Sequence, residues 1–113
     1  MSDCLFCRIA AGEIPAKIVH RDDEVLAFHD IAPQAPVHVL LIPVRHLPSV
    51  HEAREADAAL LGRLLLAAKR VAESEGLGKS YRLVLNHGAE AGQSVFHLHV
   101  HLLGGRPMGW PPG

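Results

Sequence analysis

What the sequence lacks narrows the field first. No apolar run approaches the roughly 20 residues of a membrane-spanning helix, so no membrane partner is expected. Neither sign of charge dominates: 11 Lys and Arg stand against 12 Asp and Glu, a formal net charge of −1. That leaves no electrostatic footprint for wrapping nucleic acid. Only two cysteines occur, Cys4 and Cys7, too close together for a framework disulfide. No repeat, low-complexity stretch or linker interrupts the 113 residues, so a single domain over 1–113 is expected. The opening Met1-Ser2-Asp3-Cys4 is neither basic nor apolar enough for a signal peptide, and the expected setting is cytoplasmic. A Walker-type phosphate loop and a catalytic carboxylate pair are also missing.

What is present is histidine, nine in all, and three of them stand at 97, 99 and 101. Leu98, Val100 and Leu102 alternate with them. Strict alternation predicts a β-strand, with aliphatic side chains on one face and imidazoles on the other. Imidazole titrates near neutrality, attacks phosphorus or carbonyl carbon, relays protons and binds metals. The run ends in Gly104-Gly105.

The rest of the chain supplies a sheet for this strand and a helix to cover it. Cys4 to Ala11 forms a short helix with Phe6, Ile9 and Ala10 inward, ended by Gly12. Ala16 to His20 and Val25 to His29 flank Arg21-Asp22-Asp23-Glu24 as a hairpin with a four-residue turn. Asp30 to Pro36 is a loop, and His38 to Ile42 is a strand stopped at Pro43. In that strand His38, Leu40 and Ile42 face one way, Val39 and Leu41 the other. From about Glu52 to Glu75 the period becomes helical, with Leu60, Leu61, Leu64, Ala68, Val71 and Ala72 in one stripe. Tyr81 to Asn86 is another strand, and His87 to Gln93 a glycine-containing loop able to approach a ligand closely. The expected class is α+β, a mostly antiparallel β-sheet with one long helix and a short N-terminal helix. The histidine face is expected to be the uncovered one, with His38 meeting His99 or His101 across strands. Asn86, the Ser94 hydroxyl and the backbone N–H groups of 92–95 are candidates to hold phosphate oxygens.

His97-Leu98-His99-Val100-His101-Leu102-Leu103 resembles the histidine-triad motif. The resemblance extends to Phe28-His29-Asp30-Ile31-Ala32-Pro33-Gln34-Ala35-Pro36-Val37-His38, to Ile42-Pro43, to Gly92-Gln93-Ser94-Val95 and to the ending Gly104-Gly105-Arg106-Pro107-Met108-Gly109-Trp110-Pro111-Pro112-Gly113. The Trp-Pro-Pro-Gly ending favours the HINT branch, purine nucleoside phosphoramidases, over the dinucleoside-polyphosphate hydrolases. The resemblance implies a homodimer, a purine nucleotide substrate and a nucleotidyl-histidine intermediate. His99 would be the nucleophile and His101 and His38 would orient and relay protons, with His97 the first triad member. Asn86, Gln93 and Ser94 would contact the phosphate region, and Asp30 the ribose hydroxyls. Leu5, Phe6, Ile9, Phe28, His29, Ile31 and Leu40 would form the slot for the base. A vestigial, nucleotide-binding regulatory module is the alternative from another class.

Plainer readings stand beside these. Phe28 and Ile31 fit a core as well as a base contact, Asp30 fits a turn, and His20 and His51 fit solvent. Three imidazoles in a straight row are a poor tetrahedral set, since the outer two are roughly 13 Å apart at the backbone. Cys4 and Cys7 are a better half-site. The resemblance implies His46 and His97 as the other two ligands of a structural zinc; the plain alternative is a pair of inert thiols. The tail Arg106 to Gly113 holds three prolines and the single tryptophan. It is expected to be irregular, with Trp110 near the other subunit's active site and bearing on leaving-group choice.

Overall fold

The computed structural model describes residues 3–113. Met1 and Ser2, the start of the stretch weighed against a signal peptide, lie outside the described residues. The chain runs α1 (Leu5–Ala10), β1 (Ile18–Arg21), β2 (Val25–His29), β3 (Val37–Pro43), α2 (Ala58–Ser74), β4 (Arg82–Val84) and β5 (Val100–Gly104). The strands form one five-stranded sheet in the order β1-β2-β3-β5-β4, and every neighbouring pair is antiparallel. Among the described residues no helix is long and apolar enough to cross a membrane.

Alternation along the strands splits the interior into two cores. Val25, Ala27, Val39, Leu41, Leu98, Val100 and Leu102 meet Leu64, Ala67, Ala68, Val71 and Ala72 of α2. Leu26, Phe28, Leu40 and Ile42, on the opposite face, meet Phe6 and Ile9 of α1. The sequence predicts an uncovered histidine face; the structure corrects this, since α1 covers part of it. The short helix lies over the part that carries His97 and His99, because Phe6 and Ile9 bury more apolar surface there than they would in solvent.

Several elements are shorter than the pattern predicts, each for a local reason. The hairpin turn is Asp22 to Glu24, because Arg21 joins β1; the Asp22 carboxylate accepts from the Glu24 and Val25 N–H groups at 2.8 Å. Val50–Glu52 and Glu55–Asp57 are 3-10 turns, so α2 begins at Ala58 rather than near Glu52. The Ser49 hydroxyl caps the first turn, and the Asp57 carboxylate accepts from the Arg54 N–H at 2.9 Å in the second. Of the expected stripe, Leu61 is only half-buried, and Ala67 takes an inward place beside Leu64 and Ala68. Gly76, at φ +81, follows the helix end.

The triad strand is also shorter. β3 ends at Pro43, which has no N–H to donate to a neighbour. Past Val100 the pairing therefore gives way to other contacts. The Leu98 N–H donates to the Leu47 carbonyl at 2.6 Å, and His97 turns its ring onto the Pro43 carbonyl.

Candidate active site and metal cluster

The histidines occupy one face, but they belong to two separate groups. His97 is fully buried and His99 is 6% exposed, whereas His101 is half-buried. The Phe6 ring forms T-shaped pairs with both inner histidines, with centroids 5.2 Å from His99 and 6.0 Å from His97. His38 and His101 sit diagonally across β3 and β5, with Nε2 and Nδ1 2.9 Å apart.

Backbone groups, which can play only one role each, assign the ring protons of the neutral imidazoles. The Pro43 carbonyl accepts from His97 Nε2 at 2.7 Å, leaving His97 Nδ1 bare. The His97 carbonyl accepts from His99 Nδ1 at 2.8 Å, leaving His99 Nε2 bare. The Gln34 N–H donates to His38 Nδ1 at 3.0 Å, so His38 carries its proton on Nε2. That proton points at His101 Nδ1, which puts the proton of His101 on Nε2. The row thus presents a nucleophilic nitrogen on His99 beside an N–H donor on His101, the two rings 5.0 Å apart.

The electrostatics favour the neutral form of His38, His97 and His101. Burial lowers the pKa of His38, against the pull of the Asp30 carboxylate 3.5 Å away. Burial also lowers that of His97, opposed by its bond to Pro43. His101 is pushed down to about 4, by burial first and then by the neighbouring His99 and His38.

Asp30, His38 and His101 lie close enough together to suggest a metal site. The tautomers argue otherwise. A metal on His38 Nε2 would force the proton onto Nδ1, directly against the Gln34 N–H. This group is a hydrogen-bonded chain running from the Gln34 N–H through His38 to His101.

The four-residue cluster at the other end does fit a metal. Cys4 Sγ is 3.3 Å from His97 Nδ1; Cys7 Sγ is 3.4 Å from the same nitrogen and 3.3 Å from His46 Nδ1. The two Nδ1 atoms are 3.2 Å apart. A tetrahedral zinc with bonds of about 2.3 Å to sulfur and about 2.0 Å to nitrogen has S···N edges of about 3.5 Å and N···N edges of about 3.3 Å. The His97–Pro43 bond is the outer contact that turns a bare Nδ1 toward such an ion. Cys4 also caps α1, accepting from the Cys7 N–H at 3.3 Å.

The expected base slot is divided by the fold. Phe6, Ile9, Phe28 and Leu40 are packed into the second core with Leu26 and Ile42, so they form a floor. His29 and the fully exposed Ile31 line a cleft of about 750 Å³ together with Asp30, His38, Lys17, Pro15, Ala16, Pro33 and Pro36. Leu5 is 43% exposed, on the outer side of α1, and belongs to neither part. Asp30 is a turn residue as well as a cleft residue, since its Oδ1 accepts from the Ala32 N–H at 2.8 Å.

Gln93 needs a correction of another kind. Expected at the phosphate, it is buried: its amide accepts from the Gly88 N–H at 2.9 Å and donates to Pro48 and Val95 carbonyls at 2.8 and 3.1 Å. It shapes the loop that presents the exposed Ser94. Gly92, at φ +104, lies against Asn86, whose Nδ2 would be 3.4 Å from an added Cβ. β4 ends at Val84, so Asn86 stands beyond the ladder, next to that loop.

Sequence reasoning missed Lys17 in the cleft and the backbone groups of Gln34, Pro43 and His97. Nothing in a residue pattern marks a main-chain carbonyl or N–H as the partner of a particular ring. Trp110 is 83% exposed, while the tail is tied back by Arg82, which donates to the Gly109 carbonyl at 2.8 Å.

Comparison with known proteins adds to this geometry. A sequence model of the HIT domain matches residues 11–108. An uncharacterised HIT-like protein of Synechocystis is 60% identical over 111 residues, covering 98% of this chain and 97% of its own length. The crystal structure of a HIT family hydrolase from Legionella pneumophila matches with a TM-score of 0.96 at 52% identity, over 98% of this chain and 100% of that one. A histidine triad nucleotide-binding protein from Candida albicans matches with a TM-score of 0.84 at 31% identity, over 96% of this chain and 83% of that one.

Proposed function

The chain belongs to the HIT domain family, and from that premise we propose that it is a hydrolase of the HINT-type branch, cleaving the P–N bond of purine nucleoside phosphoramidates or the mixed anhydride of acyl-adenylates. The observation that carries the reading is the tautomer of His99. Its Nδ1–H is held by the His97 carbonyl, which leaves Nε2 with the lone pair needed for attack on phosphorus.

In the first step His99 Nε2 bonds to the α-phosphorus and the P–N bond breaks. The departing amine takes a proton by way of His101, whose Nε2–H is set by His38. The His97 carbonyl then faces a cationic nucleotidyl-imidazole and stabilises its Nδ1–H more strongly than that of the neutral ring. In the second step water attacks phosphorus, the P–Nε2 bond breaks and the proton taken by the amine is replaced. Asn86 and the Ser94 loop hold the phosphate oxygens, Asp30 the ribose hydroxyls, and the cleft beside His29 and Ile31 the base.

The proposed cofactor is one structural zinc on Cys4, Cys7, His46 and His97. When bound it ties α1 to the strand segment ahead of β5 and contributes folding free energy. His99 is not among its ligands.

The proposed partner is a second copy. Leu61, Leu65, Leu83 and Leu85 border an apolar cleft of about 330 Å³ between α2 and the edge strand β4. An uncovered apolar patch beside an edge strand is a surface that self-association would bury. Most of the helical stripe read from the sequence is buried inside the monomer, which leaves its half-buried member Leu61, with the exposed Leu65, on the surface beside β4. Two paired copies would let the exposed Trp110 of one reach the cleft of the other.

The test is to mix the protein with an adenosine phosphoramidate and look for nucleotide on His99 by mass spectrometry. Faster turnover of a diadenosine polyphosphate would move the protein to the neighbouring branch. Binding without turnover of either would make it a regulatory module.

A further inference from the structure

We propose that Arg106 is a positioning residue for the His38–His101 pair, acting through the backbone of Gln34. The inference rests on the functional reading above only for its effect on rate.

Arg106 follows β5 directly and reaches across to the loop between β2 and β3. Its Nη2 and Nε both donate to the Gln34 carbonyl, at 2.9 and 3.3 Å, and Nη1 donates to the Pro107 carbonyl at 3.1 Å. A planar guanidinium sets such a fork with little loss of side-chain freedom. The residue before it tightens the same grip. Gly105 has φ +91, and a Cβ there would stand 2.8 Å from Pro36 Cβ. The end of the triad strand therefore clamps the 30–36 loop at two points, Gln34 and Pro36. A third tie is the Asp30 N–H, which donates to the His38 carbonyl at 2.9 Å.

The clamped loop has one chemically consequential donor. The Gln34 N–H faces His38 Nδ1 at 3.0 Å and keeps the proton off that nitrogen, while the Asp30 carboxylate, at the start of the same loop and 3.5 Å from Nε2, favours the same tautomer. A hydrogen bond weakens steeply with misalignment. If the loop slips, the Gln34 constraint is lost and His38 takes its proton on Nδ1 as well as on Nε2. The proton shared with His101 then points either way, and in half of the possible arrangements His101 turns a bare Nε2 toward the substrate. Arg106 is exposed, so its bond to Gln34 adds little to stability. Its consequence lies in the direction of the N–H bonds.

The test uses the full chain with 15N-labelled histidine and long-range 1H–15N correlation, which reads the protonated nitrogen of each ring. In the parent protein His38 and His101 should both carry the proton on Nε2. In Arg106→Ala the two nitrogens of each ring should shift toward each other. With an adenosine phosphoramidate, kcat should fall about tenfold or more while KM stays within about twofold. Arg106→Lys should recover part of both effects. Gln34→Pro, which keeps the carbonyl but has no N–H, should move the ring shifts with Arg106 in place. Arg106→Gln repeats the test should Arg106→Ala fold poorly. A folded Arg106→Ala or Arg106→Gln with the parent's ring shifts overturns the proposal. If the shifts move as expected but the parent protein turns over no phosphoramidate, the functional reading fails and the role of Arg106 stands.

Discussion

The two ends of the histidine segment share residue type and spacing, yet their surroundings differ. His97 is fully buried, its Nε2 on the Pro43 carbonyl and its Nδ1 among two thiols and the His46 ring. His101 is half-buried, its Nδ1 on another imidazole and its remaining N–H unclaimed by the backbone. The first is shaped as a ligand and the second as a donor. The backbone partner of each ring, or of the ring next to it, selects the tautomer, and the tautomer selects the chemistry. His99 between them is oriented by the main chain of His97, whose carbonyl accepts from its Nδ1.

The sharpest way to separate the ends is to remove the middle. His99→Ala should lower turnover by several powers of ten, because covalent catalysis is lost outright. Nucleotide affinity should stay within about an order of magnitude, and metal content should be unchanged. Turnover near that of the parent would remove His99 from the nucleophile's role.

Breaking the ligand end should give the opposite pattern. The purified protein should hold about one zinc per chain by elemental analysis. Cys4→Ser should release it and lower the melting temperature by several degrees, with a smaller proportional loss of activity. Metal-free protein whose melting temperature ignores a chelator would reduce the thiol cluster to packing.

Acid should act on the donor end through protonation. The folded pKa of His101 lies at about 4, below the unfolded value near 6.5. Between those values the unfolded chain binds a proton that the folded chain does not. Stability should therefore fall as pH drops from about 6.5 to about 4, and level off for this group below that. His38 and His97 shift in the same direction. His101→Asn should flatten the dependence by up to about 1.4 kcal/mol per pH unit. Denaturant titrations at a series of pH values would read it, and an unchanged slope would mean that folding leaves the pKa of His101 where it is in the unfolded chain.

The smallest expected effect lies beyond the segment altogether. Deleting 107–113, with Arg106 retained, should leave the fold and the nucleotidyl intermediate in place and change the order of preference among amine leaving groups. Identical relative rates across a panel of amines, with and without the tail, would leave Trp110 without a part in specificity.

Much of this was legible beforehand, because alternation is a local property. Period two sorts His38 from Val39 and His99 from Val100 whatever surrounds them, and the helical period sorts Leu64 from Arg63. The sheet, its covering helix and the shared face of the histidines follow from that. Element ends were less legible. The start of α2 depends on a side chain, Asp57, binding the Arg54 N–H, and the start of β5 depends on Pro43 having nothing to donate on the neighbouring strand.

By itself the sequence determined which side chains share a face and that thiols and imidazoles are available to meet. Only the tertiary structure decided which of them meet and in which protonation. Leu5 and Phe6 are adjacent, yet one is exposed and the other stands against His99. Gln93 and Ser94 are adjacent, yet one binds main chain and the other faces solvent. The physical reason is that a ring proton is placed by a hydrogen bond to a backbone atom whose position the fold sets. Pro43, 54 residues before His97, meets its ring only once β3 and the segment ahead of β5 lie side by side, and Gln34, four residues before His38, sits in a loop whose carbonyl Arg106 grips from the far end of the chain.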